Sequence, residues 1–308
     1  MERKKSIGSG AGRRVLLFLV SVLLMLFASC TILTEVGAGV FTHFTGIPVS
    51  ARVKDAIVKS GVAWSKAFEQ ITPEQEYYIG RSVAANILVA YKIQTNRPAL
   101  TNYVNQICNA LVINTPRPEI YNGYHVAVLD SDEINAFATP GGHIFITRGL
   151  INCATSEDTL ASIIAHEIAH VQLEHGLKAI QNSRVTQALA VTGTSAVGAA
   201  LDINELVDIF GESINGMLTT LVTKGYSRDQ EYDADTTAMV FLSLAGYEPS
   251  SLLSMLEVLE KNQPGKRGGF NDTHPTPAQR ITSAKKTVGD FSVTDTRSYR
   301  EARYKATR

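Results

Sequence analysis

The fold and the chemistry of this chain are decided by one stretch, Ala165-His166-Glu167-Ile168-Ala169-His170. Two histidines four residues apart lie on one face of a helix, so both imidazoles can bind a single metal ion. Neutral imidazole is a common ligand of zinc. Glu167 is rotated from His166 by about 100° around the helix, so it can reach a water on the metal rather than the metal itself. The pattern predicts a zinc-binding helix that carries a general base.

The residues around this motif predict a capped helix behind a small sheet. Thr155 and Asp158 match a capping box, and acidic residues at 157 and 158 suit the positive end of the helix dipole. Five apolar residues form a stripe along the helix: Leu160, Ile163, Ile164, Ile168 and Val171. Upstream, residues 124–129 and 143–147 are short, β-branched and aromatic, which predicts strands.

Two histidines do not complete a catalytic zinc site, which needs a third protein ligand and an open position. The residues after His170 do not match the HExxHxxGxxH pattern, which would supply a third histidine. A later helix, which begins at Ser227 with Gln230 in a capping box, offers carboxylates instead. Glu231 and Asp235 share one face of it. We assign Glu231 as the third ligand, with Asp235 accepting a hydrogen bond from a ligand imidazole; the alternative is a solvated acidic face.

The first 29 residues have the organisation of a secretory signal. Basic residues precede an apolar run at 15–27, and Ala28-Ser29-Cys30 follows. The run is shorter than the roughly 20 residues that a membrane span needs. The ending resembles the lipobox of bacterial lipoproteins, which implies a diacylated Cys30 as the first mature residue. The alternative is an ordinary signal peptide with an incidental cysteine.

Composition bounds the class of protein. The chain has 308 residues, of which 44% are hydrophobic, enough for one well-buried domain with extensions. Lysine plus arginine equals aspartate plus glutamate, 29 against 29, so no basic excess indicates a nucleic-acid partner. With Cys30 acylated, Cys108 and Cys153 are left, and both a disulfide and two buried thiols are open alternatives.

Four pieces of sequence together resemble the bacterial and mitochondrial gluzincin family that includes BepA, LoiP, YcaL and HtpX, related to the CAAX prenyl proteases. The pieces are Asn135-Ala136-Phe137-Ala138 with the following Gly-Gly and strand, the HExxH of 166–170, Ser227-Arg228-x-x-Glu231-x-x-Ala234-Asp235, and Thr273-His274-Pro275 with Arg280. A lipoprotein signal without multiple spans is more similar to LoiP and YcaL than to HtpX. The resemblance implies an α+β fold: a mostly helical zinc metalloprotease domain with a small β-sheet next to the HExxH helix, the minimal gluzincin fold.

We divide the chain accordingly into four segments: a lipoprotein signal peptide at 1–29, a lipidated N-terminal tether and first helix at 30–71, a zinc metallopeptidase domain at 72–288 and a polar C-terminal tail at 289–308. Within the domain, helices are expected to begin after Thr72 and at Pro98, and one to end at Gly246. The alanine- and glycine-rich stretch 185–224 is expected to form packed helices or a lid.

The resemblance also implies roles for single residues. The segment 135–138 resembles the family's substrate-binding edge strand, to which an extended peptide adds by main-chain hydrogen bonds; a plain structural hairpin is the alternative. His274 either helps to stabilise the oxyanion or caps the metal in a latent form, and Arg280 either helps the oxyanion or braces Asp235. The expected cofactor is one Zn²⁺ per chain, held by His166, His170 and Glu231, with Glu167 as general base.

The activity implied is that of a zinc-dependent metalloendopeptidase of the cell envelope, which hydrolyses misfolded or unassembled envelope proteins for quality control. Its partners would be such substrates, the membrane through Cys30, and outer-membrane assembly machinery, with no nucleic acid. It would face the periplasm, and Thr31 in place of aspartate implies the outer membrane. The alternative is a latent zinc-bound chaperone or assembly factor for outer-membrane proteins whose proteolysis is suppressed by His274. A CAAX-type processing enzyme would need several membrane spans.

Overall fold

The computed structural model describes residues 58, 63, 65, 67–197, 225–262, 274–291 and 297–307. These residues fall into two compact units, one with the described residues of 71–180 and 225–307 and a smaller one with those of 58–70 and 181–197. The signal peptide, Cys30 and Thr273 lie outside the described residues, as do residues 198–224 of the stretch expected to form packed helices or a lid. The expectations for them stay predictions.

The larger unit combines a three-stranded sheet with helices packed around one buried helix, which confirms the predicted mostly helical α+β class. In chain order the elements are α1 Pro73–Ala90, α2 Pro98–Val112, β1 His125–Leu129, β2 Ala136–Ala138, a 3₁₀ turn Pro140–Gly142, β3 His143–Thr147, α3 Arg148–Cys153, α4 Glu157–Gln172, α5 His175–Val197, α6 Arg228–Leu244, α7 Ser251–Asn262, α8 Pro277–Ala284, a 3₁₀ turn Val288–Asp290 and α9 Arg297–Thr307. Helix α5 belongs to this unit only as far as residue 180.

The sheet has the strand order β1-β3-β2. β1 runs parallel to β3, with His125 opposite His143, and β2 runs antiparallel to β3, with Ala136 opposite Ile146. β2 is therefore an edge strand of the sheet formed by the described residues. The short strands at 125–129 and 143–147 lie where the β-branched and aromatic residues of 124–129 and 143–147 predict them.

A glycine turn fixes the end of β2 against α1. Gly141 has a positive φ of 69°, and a Cβ there would lie 2.6 Å from the Cα of Tyr77. A Cβ on Gly80 of α1 would lie 1.7 Å from the carbonyl oxygen of Pro140. Only glycine permits this backbone-to-backbone approach. The Gly141 amide also donates a hydrogen bond to Glu76 Oε1 of α1 at 3.2 Å, which holds the turn against this helix.

Helix α4 is the buried centre of the unit. Every residue of it except Gln172 is buried, including the whole predicted apolar stripe. Its start differs from the prediction. Ser156, not Thr155, is the N-cap, and its side chain accepts from the amide of Thr159 while Thr159 Oγ1 accepts from the amide of Ser156. The predicted box failed because Asp158 binds elsewhere.

Asp158 and Glu157 bind arginines of the C-terminal helix α9. Arg300 Nε donates to Asp158 Oδ2 at 2.9 Å, and Arg303 Nη2 donates to Glu157 Oε1 at 2.5 Å. Sequence analysis treated 289–308 as a polar tail and did not foresee this helix. The reason is that its anchoring side chains are mainly arginines rather than aliphatic residues, so no apolar stripe marks it.

The other predicted helix boundaries are confirmed. Thr72 caps α1 in a reciprocal box with Gln75, and α2 starts at Pro98. Ser227 caps α6 in a box with Gln230. Gly246 follows the last turn of α6 with a φ of 77°, the left-handed conformation that favours glycine after a helix.

In the smaller unit, Ala63 and Ala67 form a small apolar cluster with Ala188, and Val185 packs against it. Among the residues that the structure describes, no helix is long and apolar enough to cross a membrane.

Candidate active site

Helix α4 presents His166 and His170 on one face, four residues apart. Their Nε2 atoms lie 3.1 Å apart and both side chains are buried. Glu167, on the same helix, is also buried. The motif on its own helix therefore brings two imidazole nitrogens to one point.

Helix α6 adds a carboxylate to this pair. The capped start at Ser227 places Glu231 in the first turn, where it is completely buried. Its Oε2 lies 3.5 Å from His166 Nε2, and its Oε1 lies 3.5 Å from His170 Nε2. Burial opposes ionisation, but His274 and a hydrogen bond from His166 hold the pKa of Glu231 well below its ordinary value. The group is a carboxylate at neutral pH.

The three side chains fit a divalent metal ion. Ligand atoms on a tetrahedral zinc, with bonds of about 2.0–2.1 Å, lie about 3.3–3.4 Å from one another. The two Nε2 atoms lie 3.1 Å apart, and each lies 3.5 Å from a different oxygen of the Glu231 carboxylate. One oxygen of Glu231, Oε1, is buried and forms no hydrogen bond in the described part of the chain. Converging acceptors of this kind are stabilised by a cation.

Asp235 and Arg280 support His166 from behind. His166 Nδ1 lies 3.0 Å from Asp235 Oδ1, and Arg280 donates to both oxygens of Asp235, at 2.9 Å from Nε and 2.5 Å from Nη2. Arg280 Nη2 also lies 3.1 Å from His166 Nδ1, but arginine only donates, so Asp235 is the shared acceptor. The geometry shows the bracing contact with Asp235, and Arg280 Nη1 also lies 3.9 Å from Glu231 Oε2. The oxyanion role of Arg280 stays a prediction.

The negative groups around His166 favour a positive charge at this point. Burial and Arg280 oppose protonation, but hydrogen bonds with Asp235 and Glu231 outweigh them and raise the pKa of His166 to about 9. A metal ion at Nε2 would supply that positive charge in place of the proton, so metal binding would release a proton.

His175 and Tyr226 both contact the second histidine, and neither is among the residues predicted for the site. His175 Nδ1 lies 2.9 Å from His170 Nδ1, and the Tyr226 ring stacks on the His170 ring at 4.4 Å. Burial, with Lys178 nearby, lowers the pKa of His175 to about 4. A third histidine soon after an HExxH motif was the available signal.

His274 approaches the same cluster from the segment before α8. Its Nδ1 lies 2.7 Å from Glu231 Oε2, and its ring centre lies 5.4 Å from that of His166. One nitrogen of His274 and one ligand atom from each of the three proposed ligands all lie within 4.8 Å of one another. The structure brings His274 close enough for either role that the resemblance implies.

Glu167 has the environment of a proton carrier. Burial raises its pKa to about 7, and its Oε1 is buried with no hydrogen-bond partner among the described residues. A carboxyl group with a pKa near neutrality can both accept and return a proton. The structure thus places Glu167 with the predicted ligands; its catalytic role stays a prediction.

The segment Asn135 to Ala138 forms β2 and its entrance. The amide of Thr147 in β3 donates to the carbonyl of Asn135, so the N–H and C=O groups of Ala136 and Ala138 face the outer edge. Asn135 Oδ1 already accepts from the amide of Ala136 at 2.9 Å. All three residues of β2 are buried in the structure, and an added strand would bind at Ala138. Phe137 packs inward into an apolar cluster.

A small cavity lies beside His170 at the end of this edge strand. Its lining includes Ala138, Pro140, His170, Glu174, Leu177 and Tyr226. A side chain of a peptide bound along β2 would lie next to it.

Cys108 and Cys153 do not form the disulfide that was one of the two alternatives. Both are thiols in the structure; Cys108 is buried in the core, and burial raises its pKa to about 12. Cys153 Sγ accepts a hydrogen bond from Asn262 Nδ2 at 3.8 Å. Cys30 lies outside the described residues.

A helix with HExxH, a carboxylate from a second helix and a buried glutamate beside them define a metalloprotease. The model of peptidase family M48 matches residues 98–288, and the chain belongs to this family. The resemblance noted in the sequence is thereby confirmed.

Several characterised proteins are similar to this chain. Metalloprotease LoiP of Escherichia coli K12 is 30% identical over 60% of this chain and 71% of its own length. Mitochondrial metalloendopeptidase OMA1 of Schizosaccharomyces pombe is 22% identical over 83% of this chain and 71% of its own. The beta-barrel assembly-enhancing protease of Escherichia coli K12 is 27% identical over 62% of this chain, which spans 39% of that protein.

Proposed function

We propose that this protein is a zinc-dependent endopeptidase of the cell envelope that hydrolyses peptide bonds of misfolded or unassembled envelope proteins. The observation that carries the proposal is the convergence of His166 Nε2, His170 Nε2 and the Glu231 carboxylate within 3.1–3.5 Å of one another. The buried Glu167 beside them supplies the base that hydrolysis requires.

Zinc is the metal that suits this donor set of two imidazoles and one carboxylate. When bound, it would lower the pKa of a coordinated water towards about 7 and polarise the scissile carbonyl. Glu167 takes the proton of the attacking water and returns it to the leaving amine. Asp235 and Arg280 keep the His166 ring oriented throughout.

An unfolded substrate suits the edge strand. Strand addition at Ala138 uses the peptide backbone, so it selects an extended chain more than a particular sequence. A folded protein has its backbone groups paired already. The neighbouring cavity at His170 would accept one side chain of the bound peptide and add a limited preference.

The test compares a native protein with its reduced, carboxymethylated form as substrates. We expect cleavage of the unfolded form only, loss of cleavage in a chelator and recovery on adding zinc. Equal cleavage of the native form would refute the substrate class, and activity that survives chelation would refute the metal dependence.

The envelope location rests on the sequence around Cys30. The proposal is a diacylated Cys30 that anchors the protein in the outer membrane, facing the periplasm, where unassembled envelope proteins occur. We expect radioactive palmitate to label the parent and not Cys30→Ser, and the parent to fractionate with outer membranes. Label that persists in Cys30→Ser would contradict acylation at Cys30. Fractionation of the parent with the inner membrane would contradict the outer-membrane location.

A second function, a latent zinc-bound chaperone or assembly factor for outer-membrane proteins, is favoured by one contact. His274 Nδ1 lies 2.7 Å from the proposed ligand Glu231, close enough to block the metal. A relative at 27% identity is named a beta-barrel assembly-enhancing protease, which supports a partner in outer-membrane assembly. If His274 suppresses proteolysis, His274→Ala cleaves unfolded substrate faster than the parent. Equal or slower cleavage would exclude latency.

A further inference from the structure

The contact between His170 and His175 joins two Nδ1 atoms, and this restricts the protonation of both rings. At 2.9 Å one nitrogen must donate and the other must accept. A ring that binds metal through Nε2 keeps its proton on Nδ1. His170 is therefore the donor, His175 Nδ1 is the acceptor, and the proton of His175 is on Nε2.

The chain reaches this contact through a strained turn. Glu174 lies between α4 and α5 with a φ of 56°, in the left-handed region that is unfavourable for a non-glycine residue. Arg117 Nη1 binds the Glu174 carboxylate at 3.1 Å. The turn makes His175 the first residue of α5 and directs it back at His170, which plain helical spacing of five residues would not do.

The two metal-binding histidines are supported differently. His166 donates to Asp235, an anion held by Arg280, whereas His170 donates to an uncharged imidazole. Tyr226 closes the other side of His170 by ring stacking. His175 itself is buried and belongs to no group of ligand atoms around the metal position in the described residues.

We propose that His175 is a positioning residue that fixes the Nδ1–H tautomer and the ring orientation of His170, and so sets the affinity of the site for zinc. The inference rests on the proposed function, since it takes His170 to be a ligand. Partners of this kind change metal affinity about 10- to 100-fold when they are removed.

The test uses a matched pair of variants at one position. Asn Oδ1 occupies the place of His Nδ1 and can accept the same hydrogen bond, whereas leucine fills similar space with no acceptor. Zinc dissociation constants come from chelator competition, and urea unfolding of the metal-free proteins reports folding. His125→Leu, at an exposed histidine of β1, is the control.

We expect His175→Leu to weaken zinc binding about 10- to 100-fold and His175→Asn to restore most of it. The proposal would be overturned if His175→Leu binds zinc as tightly as the parent, or if His175→Asn binds it no more tightly than His175→Leu. If His175→Leu does not fold, nitrogen NMR of the zinc-loaded parent decides: a proton on Nε2 of His175 supports it, and one on Nδ1 overturns it. If the parent protein binds no zinc, both this inference and the proposed function fail. If the parent binds zinc and the variants do not behave as expected, only this inference fails.

Discussion

At the scale of single residues, the site is organised by what stands behind each ligand. Arg280 and Asp235 are both about 99% buried and form an ion pair with two hydrogen bonds. Asp235 also contacts His166 Nδ1. Such a pair adds little stability compared with apolar residues, yet breaking it is costly because one charge is left buried. Its presence is better explained by orientation of the ligand than by folding.

We therefore expect Arg280→Leu to destabilise the metal-free protein by about 3–5 kcal/mol, because Asp235 loses its partner. The double variant Arg280→Leu/Asp235→Leu should regain most of that stability but not the zinc affinity, since His166 has no acceptor. Urea unfolding and chelator competition measure the two quantities. Arg148→Ala, at a partly exposed arginine, is the control. Zinc affinity that returns with stability would contradict the orienting role.

The residues that converge at the candidate metal site could be predicted from sequence, and the residues that support them only in part. Helical geometry alone brings His166 and His170 together. The i, i+4 spacing of Glu231 and Asp235 places both carboxylates on one face of α6, one as the proposed third ligand and the other as the acceptor for an imidazole. His175 could not be found this way, because its position depends on the left-handed turn at Glu174. A local backbone reversal leaves no periodic signal.

At the scale of elements, the buried helix α4 is held at its first turn by α9. Arg300 reaches Asp158 and also donates to the carbonyl of Gly246, just after α6. One arginine thus ties the start of the metal-binding helix to the end of the helix that carries Glu231. The strands and capped helices were predictable from local pattern, but α9 was not, because polar anchors do not produce an apolar stripe.

Arg300→Ala should destabilise the protein by about 2–4 kcal/mol, since a buried carboxylate loses its charged partner. Glu301→Ala, at an exposed position of the same helix, should change stability by less than about 0.5 kcal/mol. Urea unfolding of both variants measures this. Equal effects of the two would show that α9 is not fastened through Arg300.

The edge strand gives a second prediction at this scale. Proline at 138 removes an N–H that faces the outer edge and leaves the pairing with β3 intact. Ala138→Pro should lower kcat/KM for unfolded substrate by about 3- to 10-fold, the value of one backbone hydrogen bond, with zinc content unchanged. Unchanged kcat/KM in a folded, zinc-loaded variant would place the substrate elsewhere.

At the scale of the whole molecule, the metal position joins the two helices α4 and α6 at the centre of the larger unit. The buried carboxylates of Glu231 and Glu167 and the ligand imidazoles meet there, so a bound cation offsets charge that folding would otherwise have to bury. Function and stability should therefore be coupled through the metal.

Removal of zinc should lower Tm by about 5–15 °C, the shift expected when a ligand present at 100 to 1,000 times its Kd is withdrawn. Adding zinc should raise the Tm of Glu231→Gln by less than it raises the Tm of the parent, because the proposed third ligand loses its charge. Thermal unfolding with and without zinc measures both. A Tm that does not depend on zinc in the parent would contradict this coupling.

The most direct test of the account measures zinc content and casein cleavage together for the parent and for Glu167→Gln. We expect one zinc per chain in both, with cleavage in the variant about 100- to 10,000-fold slower, because only the general base is removed. Undiminished cleavage by the variant would contradict the role of Glu167, and a parent without zinc would contradict the ligand set itself.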